Sequence, residues 1–214
     1  METKETLAVL FDFDGVIMDT ETQYTLFWDE QGKKYLNREH YGHSIKGQTL
    51  VQIYEKDFVD MPKIQEKVSK DLSHFEEYMN YEYIPGVEAF IADLRAHGVK
   101  LAVVTSSTTD KMKIVYRTHP EFAGLFDEIL TAERFTRSKP APDCFLLGMQ
   151  SLGSKPECTV VFEDSFHGLQ AGMSSGAITV GVATTNSREA ISGKANYVID
   201  DFTGMSYEQL LTML

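Results

Sequence analysis

Two aspartates, Asp12 and Asp14, stand where an apolar run meets a glycine: Leu7-Ala8-Val9-Leu10-Phe11 leads into Asp12-Phe13-Asp14-Gly15. The run reads as a buried strand. Side chains alternate along a strand, so Asp12 and Asp14 share one side and Phe13 takes the other. Gly15 permits a tight turn off the strand end. Carboxylates held this close raise each other's pKa unless a cation sits between them. Such a cost marks a candidate site of chemistry, although the same pair also serves elsewhere to cap and solvate a turn.

The surrounding elements decide between those uses. Residues 21–80 carry helical periodicity, little β-branching and no convincing strand. Asp19 or Thr20 is the expected N-cap, with Glu21 in the first turn. Tyr24, Phe27 and Trp28 share one predicted face, and Val51, Ile53 and Tyr54 another. Pro85-Gly86 closes the block as a linker. Beyond it, helices are expected at Val87–His97, Thr108–Arg117, Pro142–Leu152, Phe166–Ser175 and Ser206–Leu214. Strands are expected at Lys100–Thr105, Glu128–Leu130, Thr159–Glu163, Ile178–Val182 and Tyr197–Ile199. Strands alternating with helices imply an α/β fold, a doubly wound parallel sheet covered on both faces. An all-helical cap is inserted after the first strand. The expected division is a core of 1–18 and 84–214, with a cap of 19–83.

In such a sheet, ligands bind outside the carboxyl ends of the strands. Strand one ends in Asp12 and Asp14, strand two in Thr105-Ser106-Ser107, and strand four in Glu163-Asp164. The third strand-to-helix connection carries Ser138-Lys139-Pro140-Ala141-Pro142, whose prolines stiffen the loop and fix where Lys139 points. One edge thus collects four acids, a hydroxyl cluster and one lysine. A single lysine does not offset four carboxylates, and Mg²⁺ is the divalent cation suited to such oxygen ligands.

These motifs, in this order, resemble the four motifs of the haloacid dehalogenase superfamily. The closest subgroup is the β-phosphoglucomutase-like phosphatases with a helical cap, and the likeness covers almost the whole chain. The resemblance implies that Asp12 is a nucleophile forming an aspartyl phosphate, and that Asp14 is general acid and then general base. It implies that Thr105 and the Ser106 backbone bind phosphoryl oxygens, joined by Gly15 and Ser107, and that Lys139 orients Asp12. It assigns Mg²⁺ to Asp12, Asp164 and the Asp14 carbonyl, with Glu163 in the inner or outer shell. The cap loop Lys46-Gly47-Gln48-Thr49 is the expected reader of the leaving group, through Gly47 and Gln48. The chain departs from the mutase pattern where Tyr24 replaces a His and Leu50 an Arg. Lys46, Lys67 and Lys70 are candidate substitute cations. The implied activity is hydrolysis of a small phosphorylated metabolite, a sugar phosphate first; a phosphomutase and a catalytically silent binding protein are the alternatives.

At 214 residues and 43% apolar content the chain can bury a sizeable core. No apolar run approaches the ~20 residues that span a bilayer. The charged start, Met1-Glu2-Thr3-Lys4-Glu5, does not read as a signal peptide. Cys144 and Cys158 read as reduced thiols. A net charge of −12 disfavours nucleic acid and anionic membranes as partners. The expected protein is a cytoplasmic monomer. None of the six histidines shows metal-ligand spacing, and Glu76-Glu77 reads as a polar helix face.

Overall fold

The computed structural model of the chain describes residues 5–214; the expectation placed on Met1-Glu2-Thr3-Lys4 lies outside the described residues. After strand β1 (Ala8–Phe11) the chain runs through four helices, α1 (Glu21–Gln31), α2 (Tyr41–Ser44), α3 (Leu50–Asp57) and α4 (Pro62–Tyr78). Helix α1 runs on as a π turn over Gly32–Leu36. Then come α5 (Val87–Ala96), β2 (Lys100–Val104), α6 (Thr109–Thr118), β3 (Glu128–Leu130), α7 (Asp143–Leu152), β4 (Thr159–Glu163), α8 (Phe166–Ser175), β5 (Ile178–Val182), α9 (Arg188–Ile191), β6 (Tyr197–Ile199) and α10 (Tyr207–Leu211). The six strands form one parallel sheet in the order β3-β2-β1-β4-β5-β6.

β1 lies at the centre, with Phe11 opposite Val103 of β2 and Phe162 of β4. The central strands are nearly continuous Val, Leu, Ala and Phe because both of their faces are covered. Val9 and Phe11 face a core shared with α5, α6 and α10, while Ala8 and Leu10 face α7 and α8. This alternation makes three layers and brings the carboxyl ends of β1, β2 and β4 to one rim. The reversal of strand order beside β1 opens a crevice there.

The helical insert has an apolar cluster of its own, in which Phe27 and Trp28 of α1 meet Tyr41, Ile53, Phe58, Val68 and Leu72. Thr49 and Gln52 form a capping box that starts α3.

Several expectations are corrected. Thr20 stands at the N-cap position of α1 but makes no capping bond; its hydroxyl goes to Asp14 instead. Val51 is exposed while Ile53 is buried, so they do not share a face. The terminal helix is confined to Tyr207–Leu211, and α9 carries no strong sequence signal.

α8 packs so closely on β4 that a Cβ at Gly168 would overlap the Glu163 carboxylate. Overpacking of this kind costs about 1–3 kcal/mol, more than the ~1 kcal/mol that Ala gains over Gly in a helix. Gly168→Ala is therefore expected to lower the urea-unfolding midpoint without changing the slope. Gly148→Ala, where the nearest atoms are flexible Leu10 methyls at 3.1 Å and beyond, is the milder comparison.

Candidate active site

The Asp12 amide donates to the Phe162 carbonyl at 3.0 Å, so β1 in effect continues through this residue. The chain then folds back on itself, with the Ile17 and Met18 amides donating to the Phe13 carbonyl at 2.9 and 3.0 Å. Gly15 makes the turn possible at φ +75°, and any side chain there would collide with the Asp164 carboxylate and the Thr185 hydroxyl. The turn keeps Asp12 and Asp14 beside each other but assigns them to different partners.

Asp12 belongs to Lys139. The Lys139 ammonium, 1% exposed, donates to Asp12 Oδ1 at 2.7 Å, Glu163 Oε1 at 2.5 Å and the Val104 carbonyl at 3.2 Å. All three of its protons are used. Glu163 Oε2 accepts from the Asp164 amide at 3.0 Å, and from the Ser165 amide and hydroxyl at 3.1 Å each. Both Glu163 oxygens are thus spent on holding Lys139 and the loop after β4.

Asp14 belongs to a second lysine. Its Oδ1 accepts from Lys111 Nζ and Thr20 Oγ1, both at 2.5 Å, and its Oδ2 accepts from the Ser107 hydroxyl at 2.7 Å. Lys111 lies in the first turn of α6 and is 2% exposed. The single-lysine expectation for this rim is therefore corrected: two buried lysines face the acids. The helix after β2 is capped by Thr108, not by the preceding cluster. Thr105, Ser106 and Ser107 are thereby left at the site, where the Ser107 amide donates to Thr105 Oγ1 at 2.9 Å. The Ser106 hydroxyl is buried without a partner.

Burial pushes the Asp12 carboxyl up to about 8, against the pull of Lys139 and with the push of Glu163. Burial also works against the Lys139 charge, but Asp12 and Glu163 overcome it and hold the ammonium firmly protonated. Asp164 is raised well above the usual carboxylate range, first by burial and then by Glu163. Its Oδ2 is buried with no hydrogen-bond partner. Oxygens of Asp12, Glu163 and Asp164 lie within 4.8 Å of one another. An all-carboxylate donor set with an orphaned oxygen fits a hard divalent cation. The Asp14 carboxylate lies outside this cluster, so only its backbone carbonyl is left as a possible ligand from that residue.

The insert closes over this rim. Gly47, at φ +75°, sits against Ser165, where a side chain would clash with the hydroxyl at 2.5 Å. The Lys46 carbonyl lies 3.0 Å from His167 Nδ1, and Gln52 Nε2 donates to the Lys139 carbonyl at 3.0 Å. Lys46 Nζ stands 3.8 Å from Glu21 Oε2. Lys46, Gly47 and Gln48 line a cavity of about 640 Å³ between insert and sheet, whereas Lys67 and Lys70 do not. Glu76, read from sequence as a polar face, also lines it and accepts from the Tyr24 hydroxyl at 2.8 Å. Glu21 lines it too, with its carboxyl pushed up to about 7 by burial and by Asp14.

Sequence reasoning missed Lys111, Thr20, Glu21, Glu76 and Gln52. It also missed the loop after β5. There Thr184 donates to the Gly15 carbonyl, and Asn186 Nδ2 donates to the Asp164 carbonyl at 2.9 Å. The rule that directed attention to the ends of β1, β2 and β4 covers β5 as well.

Comparison with known proteins identifies the family. The family described as haloacid dehalogenase-like hydrolase matches residues 9–183. Glycerol-1-phosphate phosphohydrolase 1 of Saccharomyces cerevisiae is 32% identical over 197 residues, covering 83% of this chain and 75% of that one. A haloacid dehalogenase hydrolase of family IA, variant 3, from Entamoeba histolytica shares the fold with TM-score 0.83 at 20% identity, over 97% of this chain and 99% of that one. β-Phosphoglucomutase from Clostridium difficile shares it with TM-score 0.75 at 22% identity, over 97% and 96%. The chain therefore belongs to the haloacid dehalogenase-like hydrolases, as a phosphoric monoester hydrolase.

Proposed function

We propose that this enzyme is a Mg²⁺-dependent phosphatase that hydrolyses the monophosphate of a hydroxyl-rich metabolite, a sugar or polyol phosphate, through an aspartyl phosphate on Asp12. The observation that carries the reading is the division of labour at the β1 tip: Asp12 held by Lys139, and Asp14 held by a separate set of donors. A carboxylate oxygen of Asp12 attacks phosphorus, and the bond from phosphorus to the ester oxygen breaks. Asp14 gives its proton to the departing alkoxide. Asp14 then takes a proton from the water that attacks the same phosphorus, and the bond to Asp12 breaks to release phosphate. Lys139 orients Asp12, and Thr105, Ser106 and Ser107 supply hydroxyl and amide donors to the phosphoryl oxygens. Asp12, Asp164 and the Asp14 carbonyl would hold Mg²⁺, with Glu163 as their buttress. When bound, the ion supplies positive charge to offset the phosphoryl oxygens.

The cavity beyond the phosphate position favours hydrolysis over mutase chemistry. Thr25, Ser69, Ser73 and Glu76 offer hydrogen bonds to hydroxyls, and Trp28 and Leu50 offer apolar surface. Each lysine that lines it, Lys46, Lys111 and Lys139, already faces a carboxylate. Among the described residues, a second phosphate on the substrate would therefore meet no lysine in the cavity that does not already stand beside an acidic side chain. The division into a core of 1–18 and 84–214 and a cap of 19–83 belongs to the same reading, with the cap enclosing the leaving group.

Phosphate release from a panel of sugar, polyol and bisphosphate substrates is expected to require Mg²⁺, to stop with EDTA and to favour monophosphates. Asp12→Ala is expected to abolish it; turnover that survives that change or the chelator overturns the proposal. Glu21 gives a pH prediction for the metal-free protein. Its folded pKa is raised, so the folded state binds the extra proton and stability falls as pH rises from about 4.5 to about 7. Glu21→Gln removes that loss, so thermal unfolding should show a higher Tm than the parent at pH 8 and little difference at pH 4.

A further inference from the structure

Lys111 touches the proposed acid and base, and its ammonium is surrounded by groups of the protein. Nζ donates to Asp14 Oδ1 at 2.5 Å and to the Ser107 hydroxyl at 3.0 Å. It lies 4.5 Å from the centre of the Tyr24 ring and 5.1 Å from that of Phe13. Two protons are committed to oxygen and the charge is packed between aromatic rings, an arrangement that stabilises a desolvated cation. Tyr24 is itself anchored by the hydrogen bond from its hydroxyl to Glu76. Asp14, Ser107 and the rings of Tyr24 and Phe13 thus hold the ammonium at the edge of the cavity.

Ser107 completes the arrangement. Its hydroxyl accepts from Lys111 and donates to Asp14 Oδ2, while Lys111 donates to Asp14 Oδ1. Lysine, serine and aspartate form a closed ring of three hydrogen bonds. Thr20 adds a fourth bond, to the same oxygen that Lys111 holds. A carboxylate bound at both oxygens by three donors has one orientation available.

We propose that Lys111 is a positioning residue for Asp14: with Ser107 and Thr20 it fixes the direction in which that carboxyl faces the leaving oxygen. This rests on the acid and base assignment of Asp14 made above.

The test compares kcat/KM for a poor leaving group, glycerol phosphate, with that for a good one, p-nitrophenyl phosphate, on the Mg²⁺-loaded enzyme. The constant kcat/KM extends only through departure of the leaving group, so it isolates the step in which a proton is donated. A positioned general acid contributes about 10²–10⁴-fold to such a step. Lys111→Met is expected to lower kcat/KM for glycerol phosphate by at least ~10-fold. The loss for p-nitrophenyl phosphate, whose leaving group needs no proton, should be below ~3-fold, with Lys111→Arg restoring part of the difference. Equal losses on both substrates, or no loss on either, overturn the proposal. Should Lys111→Met not fold, Ser107→Ala breaks the same ring and must show the same selectivity; an unselective loss there also overturns it. Asp14→Asn separates the two levels of inference. If that variant shows no leaving-group selectivity, the acid and base assignment fails. If Asp14→Asn is selective and Lys111→Met is not, only the role of Lys111 fails.

Discussion

The site depends on one buried ammonium. Lys139 sits between Asp12 and Glu163 with no access to water, and its three protons are shared between those carboxylates and the Val104 carbonyl. Removing a cation from water is expensive, and only close, well-aligned anions offset the cost. Glu163 is such an anion because the start of α8 folds around it, with two amides and a hydroxyl on its second oxygen. Gly168 allows that approach, since any larger residue would occupy the place of the carboxylate. Asp12 is thus oriented by groups reaching back through Lys139 and Glu163 into the sheet and its covering helix.

The second lysine divides the acids at the rim. Asp12 and Asp14 leave the same strand two residues apart, yet each has its own cation. The pairings come from different loops, Lys139 from the connection after β3 and Lys111 from the helix after β2. Asp164 is left with an oxygen that no protein group satisfies. Two lysines therefore account for three carboxylates, Asp12, Glu163 and Asp14, and the unsatisfied oxygen marks where a divalent ion fits.

Much of this was legible in the sequence because strand ends are legible. Val9, Leu101 and Val160 mark buried parallel strands, so the polar residues just after those strands had to meet at one rim. Lys139 stood out through its flanking prolines. What stayed hidden were residues whose local pattern already had a sufficient explanation. Thr20 before Glu21 has the composition of a helix cap, and only the tertiary fold brings Asp14 to its hydroxyl. Lys111 sits in a polar stretch, Thr109-Asp110-Lys111, that reads as a solvated first turn. Glu76 and Glu77 look alike, but packing of α4 turns Glu76 toward Tyr24 and leaves Glu77 exposed. Val51 errs in the other direction, an apolar residue on a helix face that the insert leaves uncovered.

The seam between insert and sheet reaches into the site itself. On one side it is fastened by the Gln52 bond to the Lys139 carbonyl and the contact between His167 and the Lys46 carbonyl. Each fastening of this kind is worth about 1 kcal/mol net. One of the two fastenings ends on the backbone of Lys139 itself, so the insert is anchored to the very segment that carries the buried ammonium.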